Sequence, residues 1–150
     1  MALTPSTASA KVVLANTFVM YFKSHSYHWN VEGKSFVQYH DFLGDLYEEL
    51  HGAIDTIAEE IRACDEYAPI SLEELYSSKT IMEDQTRPAY AAQMFGNLLA
   101  ANDQVIESLN KLFAAATAEN KQGLADFAAG RLDVHAKHGW MLRSLMKSGE

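Results

Sequence analysis

The side chains in this sequence with most to offer chemically are histidines and carboxylates set at helical spacing. The run Ser24-His25-Ser26-Tyr27-His28-Trp29-Asn30 carries two imidazoles, His40 follows twelve residues after His28, and Asp55 and Glu59 stand four apart. Residues four apart on a helix project from one face. Imidazole nitrogen with carboxylate oxygen suits iron, which accepts both kinds of ligand. Singly, each residue has a plainer explanation. A helical histidine is more often a hydrogen-bonded packing residue than a ligand, an Asp/Glu pair is more often a solvated face, and Trp29 and Trp140 are more often core aromatics. Only the joint pattern favours metal chemistry.

One chain cannot gather all four residues. His40 and Asp55 are fifteen positions apart on a single expected helix, about 22 Å at 1.5 Å per residue. No ion bridges that gap. If two copies of the helix pack antiparallel about a two-fold axis, residue 40 of one lies beside residues 55 to 59 of the other. The midpoint then falls near Tyr47-Glu48-Glu49, and symmetry produces two equivalent sites. Dimerisation becomes a condition of metal binding.

The elements that would position these residues follow from apolar spacing. Val12, Ala15, Phe18, Val19 and Phe22 mark a first helix reaching about Asn30, with Thr7 or Ser9 as its cap and Gly33 in the turn beyond. Residues 1–9 are expected to form a flexible N-terminal segment. Leu43, Leu46, Leu50, Ile54, Ile57 and Ile61 mark a second helix from about Phe36 to Cys64, before Pro69. Ser71 with Glu74 reads as a capping box opening a short connecting helix. Pro88 suits the first turn of the next long helix, along which Met94, Leu98, Ala101, Val105, Leu109, Leu112 and Ala116 recur. Leu124, Phe127, Val134, His138, Met141 and Leu145 line the last. The fold class is therefore all-α, a four-helix bundle with a short helix in the long crossover between its second and third long helices. A single domain over 1–150 is expected, without repeats or linkers.

Composition sets outer limits. The 150 residues are 48% hydrophobic with a net charge of -8, enough apolar content for one core and a surface that repels nucleic acid and anionic membranes while attracting cations. The one cysteine, Cys64, excludes an internal disulfide and a thiolate cluster. No run is long and apolar enough to span a bilayer, and the N-terminus lacks a secretory pattern. The expected setting is cytoplasmic.

The motifs resemble those of the Dps mini-ferritins, the DNA-binding proteins from starved cells. The resemblance rests on Tyr27-His28-Trp29-Asn30-Val31-Glu32-Gly33-Lys34-Ser35-Phe36, then His40, then Leu46-Tyr47-Glu48-Glu49-Leu50 and Ile54-Asp55-Thr56-Ile57-Ala58-Glu59-Glu60-Ile61-Arg62. His135-Ala136-Lys137-His138-Gly139-Trp140-Met141-Leu142-Arg143 is similar to the family's final-helix signature. The resemblance covers about residues 10 to 147. It implies a ferritin-like fold and a hollow dodecamer built from two-fold dimers. It also implies ferroxidase sites of His28 and His40 from one subunit with Asp55 and Glu59 from its mate. Trp29 would take up stray oxidising equivalents, and Asp41 and Asp45 would nucleate mineral on the inner wall. Fe(II) would be oxidised, preferably with hydrogen peroxide, and stored as Fe(III).

Where the family usually places a carboxylate four residues after the second histidine, this chain has Gly44, which implies a weakened second iron position. DNA binding is not expected, because the first ten residues carry no Lys or Arg and counterion release needs clustered cations. Two alternatives stay open. One is a shell protein that has lost oxidation through Gly44. The other is a carboxylate di-iron protein with metals inside the bundle, for which Glu48 and His51 offer a single Glu-x-x-His pair.

Overall fold

The structure is a computed structural model and describes residues 3–147. Among the described residues five helices follow in order: α1 (Pro5–Asn30), α2 (Phe36–Ala63), α3 (Leu72–Tyr76), α4 (Ala91–Ala118) and α5 (Gln122–Leu145). No strand occurs among the described residues. The fold is the all-α bundle with one long crossover, α3 lying within it. Helix α1 packs on α2 and α4, and α5 packs on α4.

Of the N-terminal segment 1–9 expected to be flexible, residues 5–9 are helical, and residues 1–2 lie outside the described residues. Thr4 is the cap, its Oγ1 accepting from the Thr7 amide, and Pro5 opens the first turn. Proline suits this position because its missing N–H would have no partner there. The first turn is then tied to the far end of α4. Glu119 accepts from the Ser6 amide at 2.8 Å and from the Ser6 hydroxyl at 2.6 Å.

Helix α2 has the expected bounds and core stripe, with Leu43, Leu46, Leu50, Ile57 and Ile61 buried. The stripes of α1 and α5 differ from expectation. On α1, Phe22 is exposed and Val12 and Phe18 are half-buried, while Asn16, Thr17, Lys23 and Ser24 are buried. This helix touches α2, α4 and the crossover, so polar residues on it face protein rather than water. Asn16 Oδ1 accepts from the amides of Thr80 and Ile81, and Lys23 pairs with Asp84 at 2.7 Å. Those bonds hold the crossover against the bundle. On α5 the buried line is Leu124, Ala128, Arg131, His135, His138 and Leu142, whereas Val134, Met141 and Leu145 are only half-buried.

Helix α4 starts at Ala91 rather than with Pro88 in its first turn. Gln93 Oε1 accepts from the Ala89 amide at 2.8 Å and so closes the helix just after the proline. The expected seven-residue stripe of α4 is buried throughout. Ser71 caps α3 as expected, accepting from the Glu74 amide, though Glu74 reaches back to Ile70 rather than to Ser71.

Candidate metal centre

The turn at 31–35 is short, with Gly33 at φ +126°, a backbone conformation that favours glycine. It brings the last turn of α1 against the first turns of α2. There His28 Nδ1 lies 2.7 Å from the His40 carbonyl oxygen, and His40 Nδ1 lies 2.8 Å from the His28 carbonyl oxygen. A carbonyl only accepts, so each Nδ1 carries a proton and donates it. In the neutral rings both Nε2 atoms keep free lone pairs. The rings stack with centroids 3.7 Å apart and planes 17° apart. A ring nitrogen bonded to backbone is the usual way a metal-binding histidine is oriented.

Gly44 sits directly against this pair. A Cβ at that position would lie 3.2 Å from His28 Cε1 and 3.4 Å from its Nδ1. Glycine leaves room for the ring, a role that no spacing pattern reveals.

Asp55 and Glu59 lie on the distal half of α2, exposed, and neither has a hydrogen-bond or ion-pair partner among the described residues. Because α2 is one continuous helix from Phe36 to Ala63, the separation of about 22 Å from His40 stands. The chain thus brings His28 and His40 together, and Asp55 and Glu59 together, but not the two pairs. Among the described residues no three His, Cys, Asp or Glu side chains converge closely enough to hold an ion. Asp41 and Asp45 are exposed on α2. Trp29 is 59% exposed, with its ring 4.3 Å from that of His25.

His25 was not singled out by spacing, yet it stands beside the pair. It stacks on Tyr47 at 3.7 Å, and its Nδ1 is 2.9 Å from the Tyr21 hydroxyl. Tyr21 in turn lies 5.1 Å from the His51 ring. Burial, then the charges of His28 and His51, lower the His25 pKa. The legible signal was a pair of i, i+4 repeats, Tyr21/His25/Trp29 and Tyr47/His51, on facing helices.

The bundle-interior alternative is not supported as it was drawn, because Glu48 and His51 both face outward. The interior instead holds a polar network missed in the sequence. Glu49 of α2 bonds Arg131 through Nη1 at 2.5 Å and Nη2 at 3.1 Å, and accepts from His138 Nε2 at 2.7 Å. Arg131 Nη2 also lies 2.9 Å from His135 Nε2, and His135 Nδ1 lies 2.8 Å from Asn102 Oδ1. Arginine only donates, so His135 accepts at Nε2 and donates from Nδ1. Burial, then the charges of Arg131 and His138, push the His135 pKa down to about 3. Burial alone would raise the Glu49 pKa, but the hydrogen bonds and charges of His138 and Arg131 outweigh it and hold the carboxyl at about 2.

Comparison with known proteins places the whole arrangement in a family. A profile described as Ferritin: Ferritin-like domain matches residues 11–150. An uncharacterized low temperature-induced protein of Nostoc sp. is 33% identical over 135 residues, covering 89% of this chain and 75% of that protein. The DNA protection during starvation protein of Brevibacillus brevis is 28% identical over 134 residues, covering 89% of each. The crystal structure of a Dps protein from Bacillus brevis superposes with a TM-score of 0.89 at 26% identity, covering 95% of both chains. The helix order, the long crossover and these likenesses agree, and the chain belongs to the ferritin-like domain family, within its Dps group.

Proposed function

We propose that this chain assembles into a closed shell that oxidises Fe(II) at sites shared between two-fold mates and stores Fe(III) inside. Iron is the substrate. His28 and His40 of one protomer supply two Nε2 donors, and Asp55 and Glu59 of the mate supply the oxygens. The observation that carries this reading is the reciprocal imidazole–carbonyl lock. It orients two nitrogen donors about 22 Å along α2 from two unpaired carboxylates, a division that an antiparallel dimer repairs. With hydrogen peroxide as oxidant, two Fe(II) each give one electron, the O–O bond breaks, and two protons complete two waters, so no hydroxyl radical is released. Asp41 and Asp45 are assigned to nucleation of the ferric mineral, and Trp29 to capture of stray oxidising equivalents. Exposure of Phe22 (48%), Val37 (63%) and Trp140 (63%) on the single chain supports burial between copies.

Stopped-flow oxidation of Fe(II) with peroxide and with oxygen tests the site. His28→Ala and Glu59→Ala are each expected to lower the rate by at least tenfold, and wild-type rates in both would overturn the assignment. Native mass tests the shell, since twelve chains of 16.7 kDa amount to roughly 200 kDa in a closed symmetric assembly.

A shell without oxidation is the second reading, favoured by the missing carboxylate at Gly44, and wild-type inactivity toward both oxidants would select it. The crowding at this position makes a further prediction. Alanine gains about 1 kcal/mol of helix propensity over glycine. Against that, His28 cannot recede without straining its bond to the His40 carbonyl or leaving the stack. Gly44→Ala is therefore expected to leave the unfolding midpoint nearly unchanged while weakening Co2+ binding at the shared site about tenfold. Calorimetric titration of both proteins reads the difference, and equal affinities would show that the ring has room to move.

A further inference from the structure

The network inside the bundle has no part in the shared site. Arg131 is 8% exposed, His135 0% and His138 6%. Burying a charge is costly unless it is paired, and a buried ion pair is no more stabilising than apolar packing of the same shape. Interior polar clusters of helical bundles are where such folds hold metal ions.

The donors around the guanidinium form such a set. Nη2 lies 3.1 Å from Glu49 Oε1 and 2.9 Å from His135 Nε2, and the same Glu49 oxygen is 2.7 Å from His138 Nε2. One anionic oxygen and a neutral imidazole thus face a single cationic atom, with a second imidazole one bond behind. The rings of His135 and His138 stand 5.4 Å apart at 89°, so they approach from different directions. Asn102 orients His135 through its Nδ1, as a carbonyl does for a metal-bound histidine. The packing is also incomplete around the cation. Among the described residues Arg131 Nε and His138 Nδ1 are buried without a hydrogen-bond partner, whereas buried polar atoms are ordinarily bonded.

We propose that Arg131 occupies a latent divalent-metal site formed by Glu49, His135 and His138, and that its guanidinium closes the bundle interior to metal. A fixed cation neutralises the interior carboxylate, takes the lone pair of His135 and fills the space an ion would need. In the present geometry Glu49 and His135 stand about 3 Å from the cationic atom, beyond the roughly 2.0–2.2 Å of a zinc-like bond, and His138 reaches it only through Glu49. Removing the guanidinium lets Glu49 and His135 close in, and His138 joins them once its proton moves from Nε2, which now donates to Glu49, to the unpartnered Nδ1. Three protein donors with one water would then complete a tetrahedral site.

The inference is independent of the shared site, and its test removes that site from both arms. In a His28→Ala/Glu59→Ala background, Arg131→Ala and Arg131→Lys are compared by Co2+ titration, visible absorption and thermal unfolding. Arg131→Ala is expected to bind one Co2+ per chain with the intense visible bands of four-coordinate cobalt, and to melt at higher temperature when loaded. Arg131→Lys keeps a cation in place and is expected to bind none there. Adding His135→Leu to Arg131→Ala should abolish the new bands. If folded Arg131→Ala shows no such equivalent, or if it unfolds and Co2+ does not restore the fold, the proposal fails. It also fails if the background protein with Arg131 intact binds the ion equally well.

Discussion

Mixing two inactive variants is expected to restore ferroxidase activity. One chain carries His28→Ala and His40→Ala, the other Asp55→Ala and Glu59→Ala, and each forms homodimers without an intact site. Unfolding and refolding an equal mixture makes about half of the dimers mixed. In a mixed dimer, one site combines both defects, while the other pairs intact imidazoles with intact carboxylates. About one quarter of all sites are therefore whole, and stopped-flow iron oxidation should recover to about one quarter of the wild-type rate. A site contained in one chain would stay dead in every mixture. Co-assembly is verified by native mass with one chain isotopically labelled, so silence in a confirmed mixed dimer would defeat cross-protomer ligation itself.

Acid is expected to destabilise the protein in two stages through the interior network. His135 has its pKa lowered from 6.5 to about 3 by burial and by its cationic neighbours. Between those values the unfolded chain takes up a proton that the native chain refuses. Stability must then fall as pH falls, by up to about 1.4 kcal/mol per pH unit. Glu49, lowered from 4.5 to about 2, acts in the same direction over a lower window. Its stabilisation is present above pH 4.5 and is lost as pH drops toward 2. Its side chain is 34% exposed, so solvent screening reduces its share. Urea midpoints at fixed protein concentration should be level above pH 7, decline from about 6.5 and steepen below about 4.5. His135→Gln should flatten the upper stage, and the same slope in that variant would exclude His135 as its source. His25, whose pKa is also lowered, contributes in the same sense, so a His25→Gln control separates the two.

Apolar periodicity proved sufficient for α2 and α4, whose expected apolar stripes are largely buried, and insufficient for α1 and α5, where polar side chains take the expected places of apolar ones. Helix α2 turns one face inward, and Leu43, Leu46, Leu50, Ile57 and Ile61 all lie where their spacing puts them. Helix α1 is enclosed on three sides, so its inward positions include Asn16, Lys23 and Ser24, chosen for bonds to the crossover rather than for hydropathy. Helix α5 misled for a related reason. Its core line passes through Arg131 and His135 beside the expected His138, and the first two are residue types that a hydropathy pattern sends to the surface. Within the candidate centre, the pairing of His28 with His40 was implied by the family resemblance, and the five-residue turn between their helices is what brings it about. The purpose of Gly44 was not, because it depends on a clearance of 3.2 Å to a ring on another helix. The family resemblance implied only that a carboxylate was missing there.

The crossed bonds between His28 and His40 tie two helix ends to each other before any ion arrives. At the proposed site an incoming ion would therefore have no loop to freeze, and a departing one would set no segment free. Loading and unloading then depend on making and breaking coordination bonds alone, without a folding step in each cycle. In the proposed shell, a site that is filled and emptied repeatedly is served by a joint that never loosens.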